Sequence, residues 1–174
     1  MLNYNGVALE RLWSPWRAQY IDSFKEQDSQ GEVCFFCVAV SDFEHPREHL
    51  VLHTSNHAIV MMNKFPYNNG HLLIAPKIHT NDILALPDEV FADISALTRR
   101  CVGVLNDVYS PQGFNIGANL GRAAGAGVPS HLHFHVLPRW NGDTNFLPVI
   151  SEVKVISESI NDTYLKLFEH CSRW

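Results

Sequence analysis

Apolar positions recur along the chain in two rhythms. A period of 3.6 residues is clearest at Val90, Phe91, Ile94, Leu97, Cys101, Val104, Leu105 and Val108, which predicts an amphipathic helix. Pro87 opens it and Pro111 to Gly113 closes it. Ile160, Tyr164, Leu167, Phe168 and Cys171 mark a second such helix over about 157–172. Leu9, Leu12, Trp13, Trp16, Tyr20 and Ile21, with Pro15 among them, predict a short helix from about Ser14. A period of two appears where Leu132, Phe134 and Val136 alternate with His131, His133 and His135, the pattern of a strand with one buried face. Leu50–Leu52 and Ala58–Met62 read as two short strands around a turn at Ser55-Asn56. Leu72–Ala75 is apolar throughout, as a central strand is. Gly113–Gly121 reads as a further strand, with Asn115 and Asn119 on one face, and Val153–Ile156 as a short edge strand. These elements predict an α+β fold, an antiparallel sheet of about five strands with two main helices. A single domain over 1–174 is expected: an extension over about 9–40, a core over about 48–150 and the C-terminal helix.

Composition narrows the function classes. Of 174 residues, 46% are hydrophobic and only 18% charged, which describes a globular chain with a substantial core. A formal charge of −5 and the lack of a long basic run speak against nucleic-acid binding. No apolar run reaches membrane-spanning length, and Met1 to Gly6 lacks signal-peptide character, so a cytoplasmic protein without membrane association is expected. Four cysteines are too few for a disulfide scaffold. Cys101 and Cys171 fall on the apolar helix faces, where inert buried thiols are expected.

The alternating histidines carry the candidate chemistry. On a strand, His131, His133 and His135 share one face at about 6–7 Å intervals. Imidazole is a metal ligand, a nucleophile and an acid or base near neutral pH. The preceding stretch, Gly113 to Gly127, is rich in glycine and able to bring backbone N–H groups close to an anion, although close strand packing accounts for some of those glycines equally well. Phe65 and Tyr67, in the loop Asn63–Gly70, suit either ordinary packing or a wall for a nucleobase. Cys34-Phe-Phe-Cys37 is a zinc half-site, a redox pair or chance, and a redox pair lacks its βαβ context here. His45, His49, His53 and His57 recur every fourth residue, but Pro46 argues against a helix and all four are expected at the surface.

His-x-His-x-His-x-x followed by Pro138-Arg139 resembles the signature of the histidine triad (HIT) superfamily of nucleotide hydrolases and transferases. Arg11 to Arg17, Asn63 to Pro76 and Arg139 to Phe146 resemble the bacterial branch that includes diadenosine tetraphosphate (Ap4A) phosphorylases. The resemblance implies a HIT-like fold. It implies His133 as nucleophile toward an α-phosphate, forming a nucleotidyl-histidine that water or phosphate resolves. His135 would hold phosphate oxygens, helped by Asn119 and the N–H groups of Gly125, Ala126 and Gly127. His71 would support the triad from a neighbouring strand, and Asn63 would bind the ribose. Cys34, Cys37, His79 and His131 would form a closed, structural zinc site, with neither a catalytic metal nor an organic cofactor. An adenine nucleotide or dinucleoside polyphosphate is the implied ligand and a homodimer the implied assembly. Where many members carry a polar pair such as Gln-Ser, this chain has Ala126-Gly127 and one extra residue before His131. The readings that follow are, in order, Ap4A-type cleavage by phosphorolysis or hydrolysis, a nucleoside phosphoramidase, a nucleotide-binding sensor with little turnover, and a purely zinc-structural protein.

Overall fold

The structure, a computed structural model, describes residues 34–143 and 155–174, which belong to one compact unit, Val33–Trp174. The helix expected from Ser14, the Arg11–Arg17 motif, residues 144–146 and the start of the expected edge strand at Val153 lie outside the described residues. The elements are α1 (Phe35–Ser41), β1 (Val51–Thr54), β2 (Ala58–Met62), β3 (Leu72–Pro76), α2 (Asp88–Tyr109), β4 (Gly113–Ala118), β5 (Phe134–Arg139) and α3 (Ile160–Cys171). Short 3-10 turns cover Ile83–Ala85 and Arg122–Ala124. The five strands form one antiparallel sheet in the order β1-β2-β3-β5-β4. The expected α+β fold is therefore the one observed. Among the described residues, no helix is long and apolar enough to cross a membrane.

Every residue of β2 and β3 is buried because the sheet is covered on both sides. Ala58, Val60, Met62, Leu72 and Ile74 meet the apolar stripes of α2 and α3, including Ile94, Leu97, Leu105 and Leu167. Ile59, Met61, Leu73 and Ala75 point the other way and meet Phe36 and Ala39 of α1. Two-sided burial removes alternation and leaves the continuous apolar run that marks β3 as central. Phe91 is the one member of the α2 stripe at the rim, 43% exposed and edge-on to Phe134. Cys101 and Cys171 are fully buried, and burial pushes the Cys171 thiol up to about 12, so both are inert.

Three expectations need correction. The triad strand begins at Phe134, not at His131, because Leu132 N–H donates to Thr80 O (2.6 Å) and leaves the ladder. The apolar alternation survives: Leu132 and Val136 enter the helix-side core. β4 stops at Ala118, which puts Asn119 just past the strand. Of the histidines at four-residue spacing, His45 is at the surface as expected, whereas His49, His53 and His57 are partly buried. His45 and His49 clasp opposite oxygens of Asp42 (2.8 and 2.9 Å), and the half-buried His53 meets Trp174 edge-on at 5.1 Å.

Candidate active site

β5 lies between β3 and β4, with Leu73 opposite His135 and Gly117 opposite the same residue from the other side. His135 therefore faces the α1 side of the sheet with Leu73. His131 and His133 do not form a solvated row. They are 1% and 6% exposed, because Phe36 packs on both rings at 5.0 Å. His133 and His135 stand 4.9 Å apart between ring centroids.

Backbone groups set the proton positions. His133 Nδ1 lies 2.8 Å from the carbonyl of His131, which only accepts. Nδ1 therefore carries the proton and Nε2 keeps its lone pair. At His71 the logic is reversed. Tyr67 N–H donates to His71 Nδ1 (3.2 Å), so that nitrogen is unprotonated. Asn63 Nδ2 donates to it as well (3.2 Å), while Asn63 Oδ1 accepts from Phe65 N–H (2.9 Å). His71 then bears its proton on Nε2 and donates it to His135 Nδ1 at 2.9 Å. His135 is left with N–H at Nε2, a buried atom with no partner among the described residues. A lone pair on His133 and a donor on His135 thus sit on adjacent rings, an arrangement chemically able to attack an electrophile and to meet negative charge beside it. Burial keeps the set neutral: it pulls His71 down to about 3 and His135 to about 4, with neighbouring histidines adding to each shift. His133 is lowered by burial, against the opposing pull of the His131 carbonyl.

The expected metal ligands converge. One donor atom each from Cys34, Cys37, His79 and His131 lies within 4.8 Å of every other. Cys34 Sγ is 3.3 Å and Cys37 Sγ 3.7 Å from His131 Nδ1, and Cys37 Sγ is 3.1 Å from His79 Nδ1. Bonds of about 2.0–2.3 Å to a tetrahedral zinc require ligand separations of about 3.3–3.8 Å. The three distances above lie in or close to that range, and the widest separation, within 4.8 Å, closes onto an ion with a side-chain shift of about 1 Å. His131 Nε2–H donates to Pro76 O (2.9 Å), which leaves Nδ1 unprotonated toward the sulfurs, the tautomer a metal needs.

The remaining site residues divide. Tyr67 lies over the relay, 4.7 Å from His71 and nearly parallel to His135 at 6.1 Å, whereas Phe65 stands clear with 78% exposure. Asn119 Nδ2 donates to Gly125 O (3.2 Å) and so ties the strand end to the glycine turn. Gly121 and Gly125 have φ of 78° and 87°, which only glycine adopts freely. Of the three N–H groups expected to face phosphate, those of Gly125 and Ala126 bond within the turn, to Arg122 O and Gly121 O. Gly127 N–H bonds no group among the described residues.

The HIT domain family matches residues 45–142. A protein named AP-4-A phosphorylase from Mycobacterium tuberculosis is 34% identical over 158 residues, covering 89% of this chain and 80% of that one. This chain belongs to the HIT domain family. Among solved structures, a Zn-bound histidine triad family protein from Mycobacterium smegmatis shares 25% identity at a TM-score of 0.62, covering 80% of this chain and 94% of that one. The diadenosine triphosphate hydrolase of Plasmodium falciparum, at 22% identity and a TM-score of 0.56, covers 71% of this chain and 75% of that one and shares the fold. In this HIT chain, sequence reasoning missed Phe36, the lid over two triad rings. Its only signal was its place between the cysteines, where a metal site would lock any intervening side chain.

Proposed function

We propose that this HIT protein is an enzyme that cleaves dinucleoside polyphosphates of the Ap4A type through a nucleotidyl-histidine on His133. The observation that carries this reading is the pairing of the His133 Nε2 lone pair with the His135 Nε2–H donor. His133 Nε2 attacks the α-phosphorus, and the bond to the bridging oxygen breaks as the remaining polyphosphate leaves. The proton stays on His133 Nδ1, hydrogen-bonded to the His131 carbonyl, which stabilises the positive charge gained by the ring. His135 N–H meets the negative charge building on the phosphoryl oxygens. Asn119 and Gly127 N–H lie at the end of β4 and in the turn that follows, toward the triad end of β5, and supply further donors. Phe65 serves the base and Asn63 the ribose. An acceptor then attacks phosphorus and displaces His133.

Cys34, Cys37, His79 and His131 would hold zinc, which supplies a structural clamp. The relative named as a phosphorylase favours phosphate as acceptor. Among the described residues β4 is an edge strand of the sheet, with Ile116 52% exposed, and a second copy placed there gives the homodimer. The test is to incubate the protein with Ap4A, with and without inorganic phosphate, and resolve the products. ADP and ATP formed only with phosphate support phosphorolysis. AMP and ATP formed without it support hydrolysis. No product in either case removes the proposal.

A further inference from the structure

The Arg139-Trp-Asn-Gly-Asp143 stretch has no role in the chemistry above, yet it builds a buried polar cluster outside the triad. Asp143 accepts from Arg139 Nε (2.6 Å) and Nη2 (2.9 Å) in a fork, from Asn68 Nδ2 (2.9 Å) and from Trp140 N–H (3.2 Å). Its side chain is only 7% exposed. Asn68, 8% exposed, also donates to Pro138 O (3.2 Å). Arg139 extends Nη1 to Asn115 Oδ1 on β4 (2.6 Å).

Each partner belongs to a different part of the site. Asn68 lies in the loop that holds Asn63, Phe65 and Tyr67 and leads into His71. Asn115 lies on β4, four residues before Asn119. Arg139 ends β5, four residues after His135. A carboxylate with a bidentate arginine has fixed orientation as well as charge, so it holds all three elements at set distances. The loop is tied at the triad end by Tyr67 N–H and Asn63 to His71, and at the far end by Asn68 to Asp143.

We propose that Asp143, forked to Arg139, is a positioning residue that sets the nucleoside-binding loop and β4, which leads to Asn119, in register with the triad. The inference rests on the reading of the site as a nucleotide site. Tyr67 and His71 are bonded to each other within the loop, and His133 takes its orientation from His131. Loss of Asp143 therefore acts on substrate binding and leaves the reacting histidines in order.

The experiment compares Asp143→Asn, the milder Arg139→Lys, and Glu158→Gln as a structural control. Glu158 joins α2 to α3 by accepting from Tyr109 (2.6 Å), Thr163 (2.9 Å) and Lys166, and among the described residues it has no hydrogen bond to Asp143, Arg139 or residues 63–71. Steady-state cleavage of Ap4A, thermal unfolding and amide hydrogen exchange are measured on all three. Asp143→Asn is expected to raise KM about tenfold and lower kcat less than about threefold, with faster exchange across residues 63–71. Arg139→Lys changes KM in the same direction, and Glu158→Gln lowers the unfolding temperature without changing KM. An unchanged KM in both site variants, or an equal rise in Glu158→Gln, overturns the proposal. If the wild-type protein does not cleave Ap4A, the functional reading fails and hydrogen exchange decides the positioning claim alone. Exchange across 63–71 that Asp143→Asn leaves unchanged then overturns it, and selective acceleration supports it.

Discussion

Acidification should unfold this protein through His71. The ring is 1% exposed and burial pulls it down to about 3, from about 6.5 in the unfolded chain. Between those values the unfolded chain binds a proton that the fold refuses. Stability is therefore complete above about pH 6.5 and lost as the pH falls toward 3. At 1.36 kcal/mol per pH unit, the loss is about 2 kcal/mol at pH 5 and approaches about 5 kcal/mol at the lower limit. His135 is shifted in the same direction and adds to the loss. His45 acts oppositely, because its bond to Asp42 raises it and favours the folded state on protonation. Urea unfolding of wild type and His71→Gln at pH 7.5, 6 and 5 isolates the residue, since contributions from the Cys/His cluster cancel in the difference. Wild type should lose about 2 kcal/mol more than the variant between pH 7.5 and 5. Equal losses would refute the reasoning. They would mean that His71 is protonated in the fold, where Nδ1 could not accept from Tyr67 N–H, and the donor on His135 would lose its derivation.

Three further outcomes follow from the packing. Gly70 has φ of 70°, and an added Cβ would lie 2.8 Å from Leu105 Cδ2, so Gly70→Ala should lower stability. The left-handed backbone and the overlap together cost about 2–4 kcal/mol, a thermal shift of at least about 5 °C. Phe36→Ala should cost about 3–5 kcal/mol in urea unfolding and lower kcat, because it uncovers His131 and His133 together. Purified protein should carry about one zinc per chain by metal analysis, and His79→Ala should weaken its retention against a chelator while the exposed position leaves the core intact.

Much of this arrangement is legible in the sequence. The run Leu72–Ala75 marked a strand covered on both faces, and the stripe from Val90 to Val108 marked the helix that covers one of them. The pairing of Cys34-x-x-Cys37 with His79 and His131 came through family resemblance, and the four donors do converge. What covers the second face was not legible. α1 is only seven residues long, too short to show a helical period, so the burial of His131 and His133 under Phe36 had no signature. Tautomers were hidden for a related reason: they depend on which backbone groups the fold brings to Tyr67, Pro76 and His131. The glycine turn misled in part because flexible backbone also bonds to itself, as Gly125 and Ala126 do. Asn68 and Asp143 are 75 residues apart, and nothing local joins them.

The strand order has a consequence for how the chain is made. β1, β2 and β3 pair as successive neighbours, each available as soon as it is synthesised. β5 is the last strand made among the described residues, yet it inserts between β3 and β4. Until it emerges from the ribosome, the outer edge of Leu72–Pro76 is an unpaired, uncharged apolar strand, the kind of edge that recruits other chains. The segment that closes this edge also carries His135, with His133 immediately before it. Completion of the sheet and assembly of the site are thus one late event, and a nascent chain stalled before β5 is both inactive and prone to aggregate.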